Sequence, residues 1–434
     1  MHSTPFALVA VLLLAGCAST SLDEVLGPGG NPLSPAAFVR IESLVASDDG
    51  GAEPSLGVTP DGVLFTTLFA NVYRSRDLGA TWENLGDPAP LYPNNDPDLA
   101  VDIDGTVWES RLYGLVCNEA SVSRDQGDSW TTYPIACVGP VHDRQYVIPT
   151  TGGEAYLYSH QLPTFQQLAL KTTDYGATWI PTGPAEGTTP HHLLVNGGSG
   201  WGGGGFWNQN TGSVWFTFTY AAGLVSGTTQ AGYSVTHDGG ATWELAGAAA
   251  LDGAQLGLGL VTGAADDAGN VYLTWGEAEG DAVSIWMAAS RDDGATWQPK
   301  VRVDASAGSK VFPVLVAGEA GRVAIAYYEG SEAAFPDTMM GTWNVTLAYT
   351  DDALAATPTW SYGQLNSAPI KEGPICISGT TCTGDREFAD YFDAVRMPDG
   401  RVAVTYNLLD SADSLRNGFA LTEASLLGAR PAAI

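Results

Sequence analysis

The chain has 434 residues, and its acids outnumber its bases by 48 to 18, a formal charge of −30 with a pI near 4.2. Nucleic acid binding rests on Lys and Arg neutralising phosphates, so this balance argues against that class of partner. Gly and Pro are abundant (53 and 25), yet 44% hydrophobic and 10% aromatic residues can bury a large core, so the chain reads as globular and turn-rich.

In chain order, Phe6 to Leu14 is an apolar run too short to span a bilayer, and it leads into Leu14-Ala15-Gly16-Cys17, the small-residue site of a lipoprotein signal peptide. The expected organisation is a signal over 1–16, a flexible tether over 17–35 starting at a lipidated Cys17, and one folded domain over 36–430. Met1 to Thr4 carries no Lys or Arg, which keeps open an ordinary secretory signal cleaved near Ala18. Both readings place the protein outside the cytoplasm, and the first anchors it to the cell envelope through lipid alone. Of the other cysteines, Cys117 is expected to pair with Cys137 and Cys376 with Cys382; the zinc alternative lacks any CxxC spacing.

One eight-residue phrase then occurs five times: SRDLGATW (Ser75 to Trp82), SRDQGDSW (Ser123 to Trp130), TTDYGATW (Thr172 to Trp179), THDGGATW (Thr236 to Trp243) and SRDDGATW (Ser290 to Trp297). A decayed copy covers Thr350 to Trp360. Its aspartates, Asp77, Asp125, Asp174, Asp238 and Asp292, are 48, 49, 64 and 54 residues apart, a period that means a solenoid or a propeller of small sheets. Each phrase fits a hairpin turn in which Asp accepts from turn N–H groups, Gly takes a positive φ and Trp packs back on its sheet. These aspartates are therefore structural.

The phrase resembles the Asp-box, the bacterial neuraminidase repeat S-x-D-x-G-x-T-W of the sialidase superfamily, and the resemblance covers most of the chain from about residue 50. It implies a β-propeller and says little about activity, because such repeats also occur in non-catalytic propellers. Strand pairs around short turns fall at Leu56 to Leu68, Leu99 to Leu112, Tyr146 to His160, Trp201 to Tyr220, Leu256 to Trp275, Val311 to Tyr328 and Ala394 to Asn407. The predicted fold is all-β: a seven-bladed propeller of four-stranded antiparallel blades. In it, Phe38 to Val45 closes the last blade beside a strand within Gly418 to Leu427, and six blades are the alternative. The repeated turns then lie on one face, the bottom.

On the opposite, top face the segments leading into the innermost strands carry acids: Glu53-Pro54, Asp96-Pro97-Asp98, His142-Asp143-Arg144 and Asp390-Tyr391. Glu53, Asp96, Asp98, Asp143, Arg144, Asp390 and Tyr391 are the candidate binding residues. The sialidase resemblance implies three arginines for a substrate carboxylate, a tyrosine nucleophile with a glutamate, and an aspartate acid/base. Weak candidates for these are Arg144, Arg386, Tyr391 with Glu387, and Asp143. Where that family has (F/Y)-R-I-P, this chain has Ala52-Glu53-Pro54-Ser55, and a glutamate there repels the carboxylate that arginine would clamp. Phe38-Val39-Arg40-Ile41 lacks the proline. Trp201 and Trp207 can stack on sugars or simply pack between sheets, and GGSGWGGGG around them reads as a flexible link into blade four. No G-x-S-x-G, H-E-x-x-H or Walker motif occurs.

The resulting expectation is a lipoprotein whose propeller binds a glycan or an extracellular protein without catalysis; the alternative is a glycoside hydrolase of the exo-sialidase type. No cofactor is required. His142, His160, His191 and His192, on segments assigned to top-face loops, are candidate ligands for a divalent cation, with calcium needing only the carboxylates and zinc also recruiting the histidines. Lipidation needs the thiol of Cys17, so Cys17→Ala is expected to move the protein from the detergent phase to the aqueous phase or to block its processing. Unchanged detergent partitioning would refute the anchor.

Overall fold

The structure, a computed structural model, describes residues 39–46, 50–89, 96–113, 117–135, 142–161, 166–182, 199–221, 229–247, 260–377, 382 and 386–430. The signal, the tether, Phe38, Cys137, His191 and His192 lie outside them. Strand β1 is Val39–Leu44. Blade one holds β2 (Leu56–Val58), β3 (Leu64–Leu68), β4 (Asn71–Ser75) and β5 (Glu83–Gly86). Blade two holds β6 (Asp98–Val101), β7 (Val107–Tyr113), β8 (Cys117–Ser123) and β9 (Thr131–Pro134). Blade three holds β10 (His142–Pro149), β11 (Ala155–Gln161), β12 (Gln166–Thr172) and β13 (Ile180–Pro181). Blade four holds β14 (Ser199–Trp207), β15 (Val214–Ala221), β16 (Thr229–Thr236) and β17 (Glu244–Gly247). Blade five holds β18 (Thr262–Ala265), β19 (Val271–Glu279), β20 (Ala282–Ser290) and β21 (Val301–Arg302). Blade six holds β22 (Lys310–Ala317), β23 (Val323–Gly330), β24 (Thr342–Thr350) and β25 (Ser361–Gln364), with β26 (Lys371–Glu372) also paired to β24. Blade seven holds β27 (Asp393–Arg396), β28 (Val402–Leu409) and β29 (Leu415–Thr422), and β1 is its outermost strand.

This is the seven-bladed propeller with N-terminal closure. Register Glu42↔Ala420 and Leu44↔Gly418 fixes the closing strand, and Asn417 ties down the chain that follows it, accepting from Gly51 N–H (2.8 Å) and donating to Gly51 carbonyl (2.7 Å).

The repeated phrase folds the same way each time. Leu78 and Gly79, Gln126 and Gly127, Tyr175 and Gly176, Gly239 and Gly240, and Asp293 and Gly294 all have positive φ, as the two central residues of a type I′ turn require. In the second copy Asp125 Oδ1 accepts from Ser129 N–H (2.8 Å) and Oδ2 from Ser129 hydroxyl (2.6 Å), while Ser123 Oγ accepts from Gly127 N–H (2.7 Å). The sixth copy keeps the motif across an insertion: Asp352 accepts from Thr350 hydroxyl (2.6 Å) and from Thr359 N–H (2.8 Å). Neighbouring turns join into one bottom face, as where Gln126 Nε2 donates to Asp61 (2.8 Å) of the preceding blade.

The tryptophans correct one expectation. They reach past their own sheet to fill the seam with the preceding blade, although Trp243 also stacks on Phe216 of its own sheet (5.0 Å). Trp82 meets Phe419 of blade seven edge-on at 5.2 Å, and Trp297 meets Trp215 of blade four and donates to Tyr233 Oη (2.9 Å). Trp130 and Trp179 pack into the clusters around Phe65 and Trp108 in the same way.

A second correction concerns SGWGGGG, the described part of that glycine run, which is strand and not linker. Its residues form most of β14, because a Cβ on Gly203 would lie 1.9 Å from the Val261 carbonyl oxygen and one on Gly205 would lie 2.6 Å from the Trp215 carbonyl oxygen. Only glycine lets this innermost strand approach blade five so closely. Trp207 packs against the cluster around Tyr146 and Phe216, between blades three and four.

Asp125→Ala is expected to cost ~1 to 2 kcal/mol through unpaired turn N–H groups. Trp297→Ala is expected to cost more, ~2 to 4 kcal/mol, through a cavity in the blade seam. Chemical denaturation measures both; a smaller loss for the tryptophan would contradict the wedge.

Candidate functional site

The innermost strands share one local device at their top ends. Glu53, Asp96, Arg144, Gly204, Phe312 and Ala389 all have positive φ, and they belong to six of the seven blades. In β10, β14 and β22 the ladder register slips at this point, between Asp143 and Tyr146, Gly202 and Gly204, and Val311 and Val314. Such a bulge bends the strand and re-aims its side chains, here around the channel axis. Non-glycine residues in this conformation cost ~1 to 3 kcal/mol each, a strain that concentrates at functional sites.

The candidates of blades one, two, three and seven are thereby gathered. Arg144 and Asp390 are both buried and ion-paired although 246 residues apart, and Arg386 donates to the same Asp390 oxygen. Gln145 Nε2 donates to the Asp96 carbonyl. Burial, then the Asp390 and Asp96 carboxylates, hold the Glu53 carboxyl well above the usual range, so Glu53 is the protonated partner of its hydrogen bond with Asp96. Burial also raises Asp96, while that bond and Arg144 pull it back. Asp143 is raised by burial and restrained by Arg144.

Below this rim the channel narrows to a cavity of about 280 Å³ lined by all seven innermost strands. Asp98 accepts from Val147 N–H (2.7 Å) and Ser55 hydroxyl (3.1 Å), and burial pushes it up to about 6. Asp393 accepts from Leu56 N–H (2.8 Å) and is pushed up to about 7 by burial, with Asp98 adding to the shift. Tyr146 and Tyr391 have ring centroids 6.0 Å apart, and Tyr391 Oη donates to the Pro97 carbonyl (3.3 Å). Burial raises both phenols.

Several candidates stand elsewhere. Glu387 faces Lys371 (3.4 Å), because the backbone reverses at Ala389 between it and Tyr391, so the acids around Tyr391 are Glu53, Asp98 and Asp96. Arg40 lies in the closing strand, 3.9 Å from Glu423. His142 and His160 sit in strands β10 and β11, at register neighbours Gln161 and Asp143, and not in loops. Among the described residues no three His, Cys, Asp or Glu side chains are placed to hold a metal ion. Cys376 and Cys382 form a disulfide, and Cys117 is disulfide-bonded. The sequence reading missed Asp393; the pattern Asp390-Tyr391-Phe392-Asp393 parallels Asp96-Pro97-Asp98 and carried the signal.

No family model and no curated protein matches the chain. Among solved structures it is similar to a polysaccharide lyase of family PL25, an ulvan lyase bound to -[GlcA(1-4)Rha3S]- (TM-score 0.52, 10% identity, 89% of this chain and 96% of that one). It is also similar to a chain of the mitotic checkpoint complex (TM-score 0.50, 11% identity, 89% and 96%). A third is a protein of unknown function from Dyadobacter fermentans DSM 18053 (TM-score 0.49, 14% identity, 92% and 100%). At these identities the likeness is one of fold, a β-propeller, and none of the three is described as a sialidase.

The raised carboxyls set a pH dependence. A carboxyl whose folded pKa lies above its unfolded value of ~4 stabilises the fold below that value and loses the contribution as pH rises through the folded one. With Asp98 at about 6 and Asp393 and Glu109 at about 7, the melting temperature is expected to fall from pH 5 to pH 8. Asp393→Asn is expected to shrink that fall in calorimetric scans, and an undiminished slope would count against the assignment.

Proposed function

We propose that the protein is an extracytoplasmic, lipid-anchored propeller that binds a neutral glycan at the top mouth without cleaving it. The carrying observation is that Asp390 engages both Arg144 and Arg386. Both guanidiniums of this pair already face a carboxylate of the protein's own, which disfavours sialic acid as ligand, whereas carboxylates and phenols suit sugar hydroxyls. Glu53 and Asp96 touch each other, while the paired carboxyls of glycosidases stand ~5 to 9.5 Å apart with the substrate between them.

A hydrolytic reading has one observation in its favour. Burial and the neighbouring carboxylates raise Glu53 further than its partner Asp96, and a carboxyl tuned upward is what protonates a glycosidic oxygen. The ulvan lyase shares the fold at 10% identity, which adds no chemistry to this chain.

Calorimetry with neutral and sialylated oligosaccharides, alongside fluorogenic neutral glycosides and a fluorogenic sialoside, separates the readings. Saturable binding of a neutral glycan without turnover is expected. Asp390→Ala is expected to weaken that binding and to raise the relative affinity for carboxylate-bearing glycans about tenfold by releasing two guanidinium groups. Turnover of any glycoside, abolished by Glu53→Gln, would replace the binding reading with the hydrolytic one.

A further inference from the structure

A second cavity, of about 360 Å³, lies apart from the mouth against the sheet of blade six. One wall is the segment 305–308 leaving blade five. Lys310, fully buried, fixes that segment by donating to the Asp304 carboxylate (3.1 Å), the Ser306 carbonyl (2.6 Å) and the Gly308 carbonyl. Gly308 then passes so close to blade six that a Cβ would lie 1.8 Å from the Gly330 carbonyl oxygen. Gly330 N–H donates to the Ser309 carbonyl (2.7 Å), and Ser309 hydroxyl to the Ala334 carbonyl (2.6 Å). The cavity is thus preformed.

The facing wall is polar: Tyr327 and Glu329 on β23, Asn344 and Thr346 on β24, and Tyr362 and Gln364 on β25. Asn344 Oδ1 accepts from Asn366 (2.9 Å) and Gln364 Nε2 donates to the Asn366 carbonyl (2.6 Å), which leaves a donor on one and an acceptor on the other. Glu329 accepts from Thr346 hydroxyl (2.5 Å) and from Ser306 hydroxyl, and no lining residue is basic.

Blade five places an acid at the same point of its own sheet and supplies it with a base. Glu277 and Glu329 each stand six residues after the first residue of the second strand, Val271 and Val323. Glu277 is neutralised by Lys300, whose Nζ lies 2.7 and 2.8 Å from its two oxygens. Lys300 comes from the connection before the fourth strand, and in blade six the corresponding residues 351–360 include no Lys, Arg or His. Glu329 keeps the carboxylate without a counterpart of Lys300; its register neighbour on β22, Lys310, gives its ammonium to Asp304 and to the Ser306 and Gly308 carbonyls instead.

We propose that this cavity binds a small protonated amine of amino-sugar size, its ammonium supplying the charge that Lys300 supplies in blade five. Tyr327 and Tyr362 contribute aromatic surface suited to a cation, and the two carboxamides serve ligand hydroxyls. The site is independent of the mouth and of what binds there.

Titration calorimetry with glucosamine at pH 6, where the amine is protonated, tests it, with glucose and N-acetylglucosamine as neutral probes of the same shape. Glucosamine is expected to bind saturably and at least tenfold more tightly than either. Glu329→Gln is expected to weaken glucosamine about tenfold or more, and Asn344→Asp, which places a second carboxylate at the cross-strand neighbour of Glu329, to tighten it several-fold. Asp390→Ala, which acts at the mouth, is expected to leave the preference for glucosamine over glucose intact. Equal binding of glucosamine and glucose, no saturable heat with glucosamine, or a response lost in Asp390→Ala and kept in Glu329→Gln would each overturn the assignment.

Discussion

Everything at the mouth depends on closure of the ring. The residues that meet there come from the first three blades and the last, so Arg144 reaches Asp390 only if blade seven is brought back against blade one. Strand β1 does this by completing the last sheet, and Asn417 locks Gly51 just before Glu53 turns toward the axis. Loop-closure entropy for such distant partners is lost once, at ring closure, and each further cross-ring contact then forms between positions already adjacent. The seam tryptophans are what make closure cooperative: each links its blade to the one before, and Trp82 of blade one extends the series across the join to Phe419.

What was legible in the sequence was local, and what was not depended on neighbours far along the chain. The turn phrase encodes its own hydrogen bonds within eight residues, so five copies announced both the hairpins and the architecture, and Phe38 to Val45 was readable as an orphan strand. The destination of the tryptophans was not, because the partner surface belongs to the previous repeat. The glycine run around Trp201 has poor strand propensity, and its reason for being a strand is the approach of Val261, about 60 residues later. Glu387 and Tyr391 are four residues apart in sequence, yet the positive φ of Ala389 separates them and Lys371 captures the glutamate. The rim acids were found because they stand beside prolines and aromatics, but that Asp390 would occupy both arginines had no trace in the sequence.

A charge of −30 does not mean an acidic interior. All four lysines are paired with carboxylates: Lys171 with Glu154 (2.9 Å), Lys300 with Glu277 (2.7 Å), Lys310 with Asp304 (3.1 Å) and Lys371 with Glu387 (3.4 Å). Among the arginines, buried Arg111 bridges Asp87 (2.7 Å) and Glu109, and Arg396 holds Asp267 (2.7 Å) below the last blade. Three of these bases sit where a carboxylate leaves water, Lys300 at Glu277, Lys310 at Asp304 and Arg111 at Glu109, as a buried charge demands. Against that rule, a carboxyl screened from water and supplied with no base stands out. The fold meets the deficit in two ways: raised proton affinity at Glu53, Asp98 and Asp393, and hydroxyl partners at Glu329.

Those two ways have different consequences. Where carboxyls converge on an axis, mutual repulsion and burial raise each other's pKa, and the neutral forms can then donate as well as accept hydrogen bonds. The strained backbone at Glu53, Asp96 and Arg144 acquires a reason here: glycine would adopt that conformation without cost but would present no side chain to the mouth, so the fold accepts the strain to keep acids and a guanidinium in contact across three blades. The blade-six cavity is built the other way, on β23 to β25 around one carboxylate held by the Thr346 and Ser306 hydroxyls. On the proposed readings, a mouth whose acids hydrogen-bond each other and whose arginines face Asp390 suits hydroxyls, and a cavity whose carboxylate has only hydroxyl partners suits a cation. The two sites then differ chiefly in where a base is supplied, since blade five places Lys300 against Glu277 and residues 351–360 of blade six carry none.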